Sequence, residues 1–260
     1  MKQIFFASTL MWGAEPEQIF RTAARYGAGG LELWAQQAAA FGWRATDLAR
    51  LADTFHVRLI VHAKSWDLNF AALNTGIRRA SLQELKKSMF FASALGAEEI
   101  TVHPPRFTLP ALKNQAILAG REGLEELLEC SEQLQVPLSL EVMEKLPKEL
   151  VTSVDEYLYF AGPLLPRLCS TLDMAHCTSV EEFWNYAARL PKISKLHISN
   201  KQGRKLHTPL PCGDFNFAEQ LPHLRKLKVP MVIEGFDVGP RFETIQSDLA
   251  LCRAQEEKDA

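Results

Sequence analysis

The sequence has no long apolar segment, no paired-cysteine motif and no excess of charge, and each absence excludes a class of protein. None of its apolar runs approaches the ~18 residues that a membrane helix needs. Its 29 basic and 31 acidic residues give a formal net charge of -2, which argues against a broad surface for nucleic acid or membrane. The 260 residues include only five cysteines and no Cys-x-x-Cys pair, a pattern typical of free thiols in a reducing compartment. We therefore expect a cytoplasmic protein.

The N-terminus resembles a signal peptide only faintly. Lys2 precedes a mostly apolar run from Ile4 to Trp12, but that run is short and contains Ser8 and Thr9. A first strand is the better interpretation.

Eight short runs rich in Ile, Val, Leu and Phe have the composition of parallel strands covered on both faces. The predicted strands are Gln3–Ala7, Gly30–Trp34, Val57–His62, Glu99–His103, Leu138–Glu141, Leu168–Asp173, Ile193–Ile198 and Met231–Glu234. Helical patterns follow these runs. The predicted helices are Pro16–Tyr26, Thr46–Phe55 with Thr46 as its cap, Ile77–Leu95, Asn114–Leu134, Val154–Phe160, Val180–Arg189, Phe217–Leu227 and Arg241–Ala254.

Eight strand-then-helix units predict a single (β/α)₈ TIM barrel, an α/β fold for which about 250 residues is the usual size. A doubly wound sheet is the competing fold, but it usually has a glycine-rich phosphate loop after its first strand. The corresponding stretch here, residues 8–13, reads Ser-Thr-Leu-Met-Trp-Gly. We expect one domain over residues 1–260, with residues 255–260 as a frayed tail.

Imidazole and carboxylate side chains lie at or near the ends of six successive predicted strands. They are His62, His103, Glu141, Asp173, His197 and Glu234. Because the carboxyl ends of barrel strands converge on one mouth, these side chains should share a pocket. Such a cluster is typical of a site for a divalent metal.

Further polar residues are predicted to surround this mouth. His176 follows Asp173 by three residues, and His207 precedes a turn-rich loop, residues 209–215, that can fold back over the mouth. Lys64, Arg106 and Arg204 are candidates to grip a phosphate or carboxylate on the substrate. Trp12, Trp34 and Trp66 either wall a sugar pocket or pack at the barrel rim.

The order of these motifs resembles the xylose isomerase-like barrels, which include sugar and sugar-phosphate isomerases and epimerases, inosose dehydratases and endonuclease IV. The resemblance covers nearly the whole chain. Its carriers are Gly30-Leu31-Glu32-Leu33, Val61-His62-Ala63, Val102-His103-Pro104, Leu140-Glu141, Leu172-Asp173 with His176, Lys195-Leu196-His197, and Ile233-Glu234-Gly235.

The resemblance implies that Glu141, Asp173, His197 and Glu234 hold a common divalent metal (Mn, Zn, Co or Mg), with Glu141 and Glu234 as catalytic bases facing each other across the barrel. It implies a second, weaker site at His62 and His103. The positions of His176 and His207 hold a third metal in endonuclease IV, and in the epimerases the position of His176 helps to bind the substrate. We expect both histidines to contact the substrate here. Endonuclease IV has a third metal whose Asp ligand corresponds to Lys205 here. Because a lysine cation is a poor substitute for an anionic ligand, we expect no tightly held third ion.

The leading hypothesis is a metal-dependent isomerase or epimerase of a sugar, sugar phosphate or polyol ketone, acting by proton abstraction beside a metal-chelated carbonyl. A dehydratase would share the same first step. An endonuclease IV-like phosphodiester hydrolase is the alternative, although the sequence has no broad basic stripe for nucleic acid. A non-catalytic sugar- or metal-binding barrel is the third. The sequence leaves open whether the chain forms a homo-oligomer.

Overall fold

The computed structural model describes residues 1–259. Within this range the strands are β1 Ile4–Ala7, β2 Gly30–Trp34, β3 Arg58–His62, β4 Ile100–Val102, β5 Leu138–Val142, β6 Cys169–Asp173, β7 Ile193–Ile198, β8 Asn200–Gln202, β9 Lys205–Thr208 and β10 Met231–Ile233. The helices are α1 Pro16–Tyr26, α2 Ala35–Phe41, α3 Ala45–Phe55, α4 Thr75–Leu95, α5 Lys113–Leu134, α6 Val154–Ala161, α7 Val180–Arg189, α8 Phe217–Leu224 and α9 Glu243–Asp259.

Eight of the strands close into a barrel in the order β1-β10-β7-β6-β5-β4-β3-β2. Every pair of neighbours runs parallel, and the barrel closes where Ile4 of β1 lies beside Met231 of β10. The predicted (β/α)₈ fold is therefore confirmed. The remaining strands, β8 and β9, form a separate antiparallel hairpin after β7.

The strands are apolar throughout because they have no solvent face. Every residue of β2 and of β5 is buried, as expected for strands enclosed by side chains within the barrel and helices outside it.

The helices between the strands begin and end at residues that favour helix termini. Pro16 opens α1, and Gly27 ends it in the left-handed conformation, with φ of 67°. Asn74 caps α4 by accepting from the backbone N–H groups of Gly76 and Ile77.

Three local predictions differ from the structure. Helix α3 begins at Ala45, so Thr46 lies inside its first turn and does not cap it. Helix α2 was not predicted, because its seven residues follow β2 without a breaker that would separate a helical pattern from the strand. Helix α9 continues through Gln255, which is buried, to Asp259. The expected frayed tail is thus helical up to that residue, and Ala260 lies outside the described residues.

No helix within residues 1–259 combines the length and apolarity needed to cross a bilayer.

A buried carboxyl on α9 should make the stability of the fold depend on pH. Asp248 is 2% exposed and accepts a hydrogen bond of 2.7 Å from the backbone N–H of Leu210. Burial raises the pKa of Asp248 to about 7. The unfolded carboxyl titrates near its ordinary value of about 4, so the folded state keeps a proton that the unfolded state loses.

We therefore expect Asp248 to support the fold fully below about pH 4 and to lower the free energy of unfolding as pH rises towards about 7. The raised pKa corresponds to a loss of up to about 4 kcal/mol across this window. Urea unfolding of the wild type and of the Asp248→Asn variant at several pH values measures it. The amide does not titrate, so the free energy of unfolding of the variant should fall less over this window. Parallel profiles for the two proteins would contradict the assignment.

Candidate metal centre and cavity

Four buried residues form the central ligand group, which we define as Glu141, Asp173, His197 and Glu234. One ligand atom of each lies within 4.8 Å of those of the others. The parallel strands explain the grouping. Glu141, Asp173 and His197 lie at or near the ends of β5, β6 and β7, and Glu234 follows β10.

The donor atoms of the central ligand group converge on His197 Nδ1. Glu234 Oε2 lies 2.8 Å from this nitrogen and Glu141 Oε1 lies 3.4 Å from it. Strands β10 and β5 are separated only by β7 and β6 in the closed barrel. In the ring of eight strands, Glu141 and Glu234 therefore stand three positions apart, one short of diametrically opposite, and their ligand atoms lie within 4.8 Å of each other.

The central ligand group fits a divalent cation. Among the described residues, the buried atoms without a hydrogen-bond partner include both carboxylate oxygens of Glu141, Asp173 Oδ2, Glu234 Oε2 and His197 Nδ1. Buried carboxylate oxygens and an imidazole nitrogen left without donors are costly unless a cation or ligand compensates them. Carboxylate and imidazole together suit Mn, Zn and Co, and carboxylate alone suits Mg.

A second group that can hold a metal comprises His62, His103 and Glu141. Glu141 Oε2 lies 3.3 Å from His103 Nε2 and 3.7 Å from His62 Nε2. The His62 Nδ1 atom lies 2.8 Å from the backbone carbonyl of Ala63, which can only accept, so this nitrogen carries the proton. The Trp34 ring stacks on His62 at a centroid distance of 3.9 Å. Both contacts orient His62 Nε2 towards Glu141.

A third group comprises Asp173, His176 and His207. The backbone carbonyl of Val142 accepts from His176 Nδ1 at 2.9 Å, which leaves His176 Nε2 facing Asp173 Oδ2 at 3.7 Å. His207 Nδ1 lies 4.0 Å from the same Asp173 oxygen.

The hairpin of β8 and β9 brings His207 to this position. His207 has a φ of 54°, a left-handed conformation that a non-glycine residue adopts only when its surroundings enforce it. Asn200 fastens the following loop to the hairpin, since its side-chain amide donates to the carbonyls of Leu210 and Phe215. The loop after His207 therefore folds back beside the mouth.

Lys205 is exposed on β9, two residues before His207. The hairpin that carries both residues has an irregular register, and His207 has a left-handed backbone. The expectation that Lys205 disfavours a tightly held third ion stays a prediction.

Opposing charges set the protonation of these buried groups. Burial acts to raise the pKa of Glu141, but the neighbouring His197 and His103 outweigh it and hold that pKa well below its ordinary value. Burial raises the pKa of Asp173 well above its usual range, and the negative charges of Glu234 and Glu141 add to this. Burial acts to lower the pKa of His176, but Asp173 and other carboxylates raise it to about 9. Without a cation, the ionised Glu141 therefore lies beside a protonated Asp173 and a positively charged His176. A cation at the central ligand group would take over the charge compensation that these protons supply.

A cavity of about 630 Å³ opens above these groups. Its lining residues are Thr9, Trp34, Ser65, Trp66, Asp67, His103, Arg106, Glu141, Met143, Glu144, His176, His207, Glu234, Gly235 and Phe236. Glu141 and Glu234 face it, whereas Asp173 and His197 lie beneath its floor among the described residues. Only two members of the central ligand group can therefore touch a substrate directly.

The three predicted basic substrate contacts have different outcomes. Arg106 lines the cavity, but its guanidinium donates to Glu149 Oε1 at 2.5 Å. Within residues 1–259 the cavity lining includes neither Lys64 nor Arg204. Lys64 instead donates to Glu84 at 2.7 Å, and Arg204 is exposed at the turn between β8 and β9. The substrate contacts expected of these two residues stay a prediction that the cavity lining does not support.

Aromatic rings form one side of the mouth. Trp66 and Phe236 line the cavity and are 44% and 53% exposed. Trp12 lies behind them, with its ring centroid 5.3 Å from that of Trp66 and 5.1 Å from that of Phe236. Trp34 and Trp66 thus wall the pocket, whereas Trp12 packs at the rim.

Sequence reasoning gave no role to two carboxylates in or next to the site. Glu32 is fully buried in β2 and lies 3.2 Å from His197 Nε2. Glu144 lines the cavity with Oε2 3.5 Å from His176 Nε2. A charged residue in the middle of an apolar strand was a signal for Glu32. Glu144 follows the end of β5 by two residues, which no periodicity marks as a cavity position.

Comparison with known proteins gives the family context. The chain is 24% identical over 196 residues to protein MJ1311 of Methanocaldococcus jannaschii, a match that covers 72% of this chain and 66% of that protein, just under two thirds. The crystal structure of a D-tagatose 3-epimerase-like protein superposes with a TM-score of 0.80 at 19% identity, covering 99% of this chain and 100% of the other. D-allulose 3-epimerase from Methylomonas sp. in complex with D-allulose gives a TM-score of 0.75 at 17% identity, covering 99% and 96%.

These two solved structures have the same fold as this chain. The family is shown by a comparison of sequences. A profile of the xylose isomerase-like TIM barrels matches residues 20–255, which is most of the chain. The protein therefore belongs to the xylose isomerase-like TIM barrel family.

Proposed function

We propose that this protein is a metal-dependent isomerase or epimerase of a sugar, a sugar phosphate or a related polyol ketone. The observation that carries the proposal is the placement of Glu141 and Glu234. Both carboxylates belong to the central ligand group and both face the cavity, while Asp173 and His197 close that group from below. A substrate in the cavity would therefore meet two carboxylates at the place where a divalent cation would be held.

Proton transfer falls to these two carboxylates. When bound to the central ligand group, a divalent cation would polarise a substrate carbonyl and acidify the adjacent hydroxyl-bearing carbon. Glu141 and Glu234 reach the cavity floor from separate strands, so one would remove the proton and the other would return it. The low pKa of Glu141 keeps it ionised and able to accept a proton. A dehydratase would share this first step and then expel a hydroxyl.

Other cavity residues would orient the substrate. His176 faces the cavity with Nδ1 fixed by the Val142 carbonyl, so its Nε2 is available to a substrate oxygen. His207 and Arg106 also line the cavity, and the remaining N–H groups of the Arg106 guanidinium, beyond the one that pairs with Glu149, can donate to a substrate oxygen. Trp34, Trp66 and Phe236 offer apolar surface to the carbon skeleton.

The comparisons support a carbohydrate as the ligand class. The structural relatives named above are a D-tagatose 3-epimerase-like protein and an epimerase with D-allulose bound. The five cysteines are free thiols, which suits the reducing cytoplasm in which we place the protein.

A phosphodiester hydrolase like endonuclease IV is the second candidate. The observation that favours it is the presence of three groups that can each hold a metal, including Asp173, His176 and His207. Several cations near the mouth, however, are already occupied by protein partners. Arg106 pairs with Glu149, Lys64 with Glu84 and Lys145 with Glu182. A track for a nucleic-acid backbone needs cations free to bind phosphates, so we place the isomerase first.

A substrate screen separates the two candidates. Metal-free protein is reloaded separately with Mn, Zn, Co and Mg and incubated with a panel of ketoses, their phosphates and a duplex that contains an abasic site. The isomerase proposal expects an isomer or epimer of at least one ketose and an intact duplex. Cleavage of the duplex without conversion of any ketose would favour the hydrolase. Tight sugar binding without either reaction would favour a binding protein.

A further inference from the structure

Glu32 occupies the centre of the barrel interior without access to solvent. It is 0% exposed in the middle of β2. Its Oε1 accepts a hydrogen bond of 3.1 Å from the Thr101 hydroxyl on β4 and lies 3.2 Å from His197 Nε2. A carboxylate removed from water is very costly unless charge and hydrogen bonds compensate it. Glu32 is therefore held where it is by specific partners, and His197 is the one that connects it to the central ligand group.

The two nitrogens of His197 face different surroundings. Nε2 lies within 3.2 Å of the Glu32 carboxylate, which can only accept. Nδ1 faces Glu234 Oε2 at 2.8 Å and Glu141 Oε1 at 3.4 Å. The arrangement places a ring proton on Nε2, against Glu32, and turns Nδ1 towards the central ligand group.

The same design recurs at the other histidines of the site. His62 and His176 each present Nδ1 to a backbone carbonyl, at 2.8 and 2.9 Å, and so leave Nε2 for the ligand groups. In His197 the roles of the nitrogens are exchanged, and a carboxylate replaces the carbonyl. A histidine that binds a metal commonly donates its other N–H to such a partner, which fixes the tautomer and the ring orientation.

Another charged side chain, that of Lys195, is buried in the barrel interior near Glu32. Lys195 precedes His197 by two residues on β7, so both side chains point to the same face of that strand. Lys195 is 1% exposed, forms an ion pair with Glu99 and contributes to the positive field at Glu32. Negatively and positively charged side chains thus alternate along the barrel interior. Their order is Glu99, Lys195, Glu32 and His197, followed by the acidic central ligand group.

We infer that Glu32 is a positioning residue, which accepts a hydrogen bond from Nε2–H of His197 and so holds the ring with Nδ1 presented to a divalent cation. The inference rests on the metal-binding part of the proposed function. Without the Glu32 carboxylate, Nε2 would lose its acceptor, and Nδ1 would hold its proton against Glu234 Oε2, which lies 2.8 Å away. That hydrogen bond would occupy the nitrogen and the oxygen that the cation needs.

The test measures zinc affinity and the protonation of His197. Metal-free wild type and the Glu32→Leu, Glu32→Gln and Asp248→Asn variants are titrated with Zn²⁺ in competition with a chelator. ¹⁵N spectra of the histidine rings then identify which nitrogen of His197 carries the proton. Asp248→Asn removes a buried carboxylate on α9 that belongs to none of the three ligand groups, and it serves as the matched control.

We expect zinc to bind Glu32→Leu roughly 10–100-fold more weakly than the wild type, as is typical when the partner of a ligating histidine is lost. The Glu32→Gln variant keeps an acceptor oxygen and should show a smaller loss, and the control should bind as the wild type does. In the zinc-loaded proteins Nδ1 of His197 should be the metal-bound nitrogen and Nε2 the protonated one in the wild type, and this pattern should be lost in Glu32→Leu.

The outcomes separate this inference from the proposed function. A wild type that binds no zinc contradicts the metal-dependent function itself. A wild type that binds zinc, with unchanged zinc affinity and an unchanged tautomer in both Glu32 variants, overturns the role of Glu32 alone. A lower melting temperature of the variants without either change would leave Glu32 a purely structural residue and would also overturn the inference. If Glu32→Leu does not fold, the nearly isosteric Glu32→Gln decides by the same criteria.

Discussion

Glu141→Gln and Glu234→Gln are each expected to abolish turnover of the true substrate while leaving the fold intact. Each change removes a negative ligand and a candidate base but nearly preserves side-chain volume. Loss of a general acid–base typically lowers the rate ~10²–10⁴-fold, and weaker metal binding would add to this loss. Steady-state kinetics with saturating metal measure the effect, and circular dichroism checks the fold.

The Glu98→Gln variant is the matched control for these two substitutions. Glu98 pairs with Arg58 at the opposite end of the barrel, near the start of β4, so its loss should leave turnover unchanged. A Glu141→Gln or Glu234→Gln variant that keeps more than about a tenth of the wild-type rate would contradict the role of that carboxylate in proton transfer.

Removal of bound metal is expected to lower the stability of the fold strongly. Without a cation, the barrel interior holds Glu141, Asp173 and Glu234 together in a buried group, and the repulsion between these carboxylates is relieved only in part by His197. A cation present at about 1,000 times its dissociation constant stabilises the folded state by about 4 kcal/mol. For a chain of this size that corresponds to a rise of roughly 10 °C in the melting temperature.

Thermal unfolding with and without added metal, starting from protein treated with a chelator, measures this difference. The Asp173→Asn variant should respond far less, because it lacks one of the anionic ligands of the cation. Identical melting temperatures of the wild type with and without each of Mn, Zn, Co and Mg would count against a metal at the central ligand group.

The strand ends could be read from the sequence because they follow from local composition. Apolar runs of four to six residues mark parallel strands, and a histidine or carboxylate at the end of such a run lies at the barrel mouth whatever the rest of the chain does. That is why His62, Glu141 and Asp173 were predicted on the right strands and at the same end. The burial of these groups and the distances between them required the structure.

The remaining features depend on contacts between segments far apart in the chain. Glu32 has its partners on β4 and β7, which only the closure of the barrel brings together. The position of Lys205 depends on a hairpin with an irregular register, and no hydrophobic periodicity in the sequence predicts that register. For Lys64, the sequence showed a positive charge near the mouth but not Glu84 on α4, which pairs with it. Charge near the mouth therefore did not predict which side chains line the cavity, whereas strand position predicted which side chains meet at the barrel mouth.

Exchange of a substrate proton with solvent tests the central claim most directly. The metal-loaded wild type is incubated in deuterated water with a ketose that it converts, and the recovered sugar is examined by mass spectrometry and NMR. If Glu141 and Glu234 move a proton beside the carbonyl, and the base exchanges that proton with solvent, deuterium should appear at that carbon only when metal is present. An enzyme that cleaves an abasic duplex in a metal-dependent way, and introduces no deuterium into any ketose, would contradict the account.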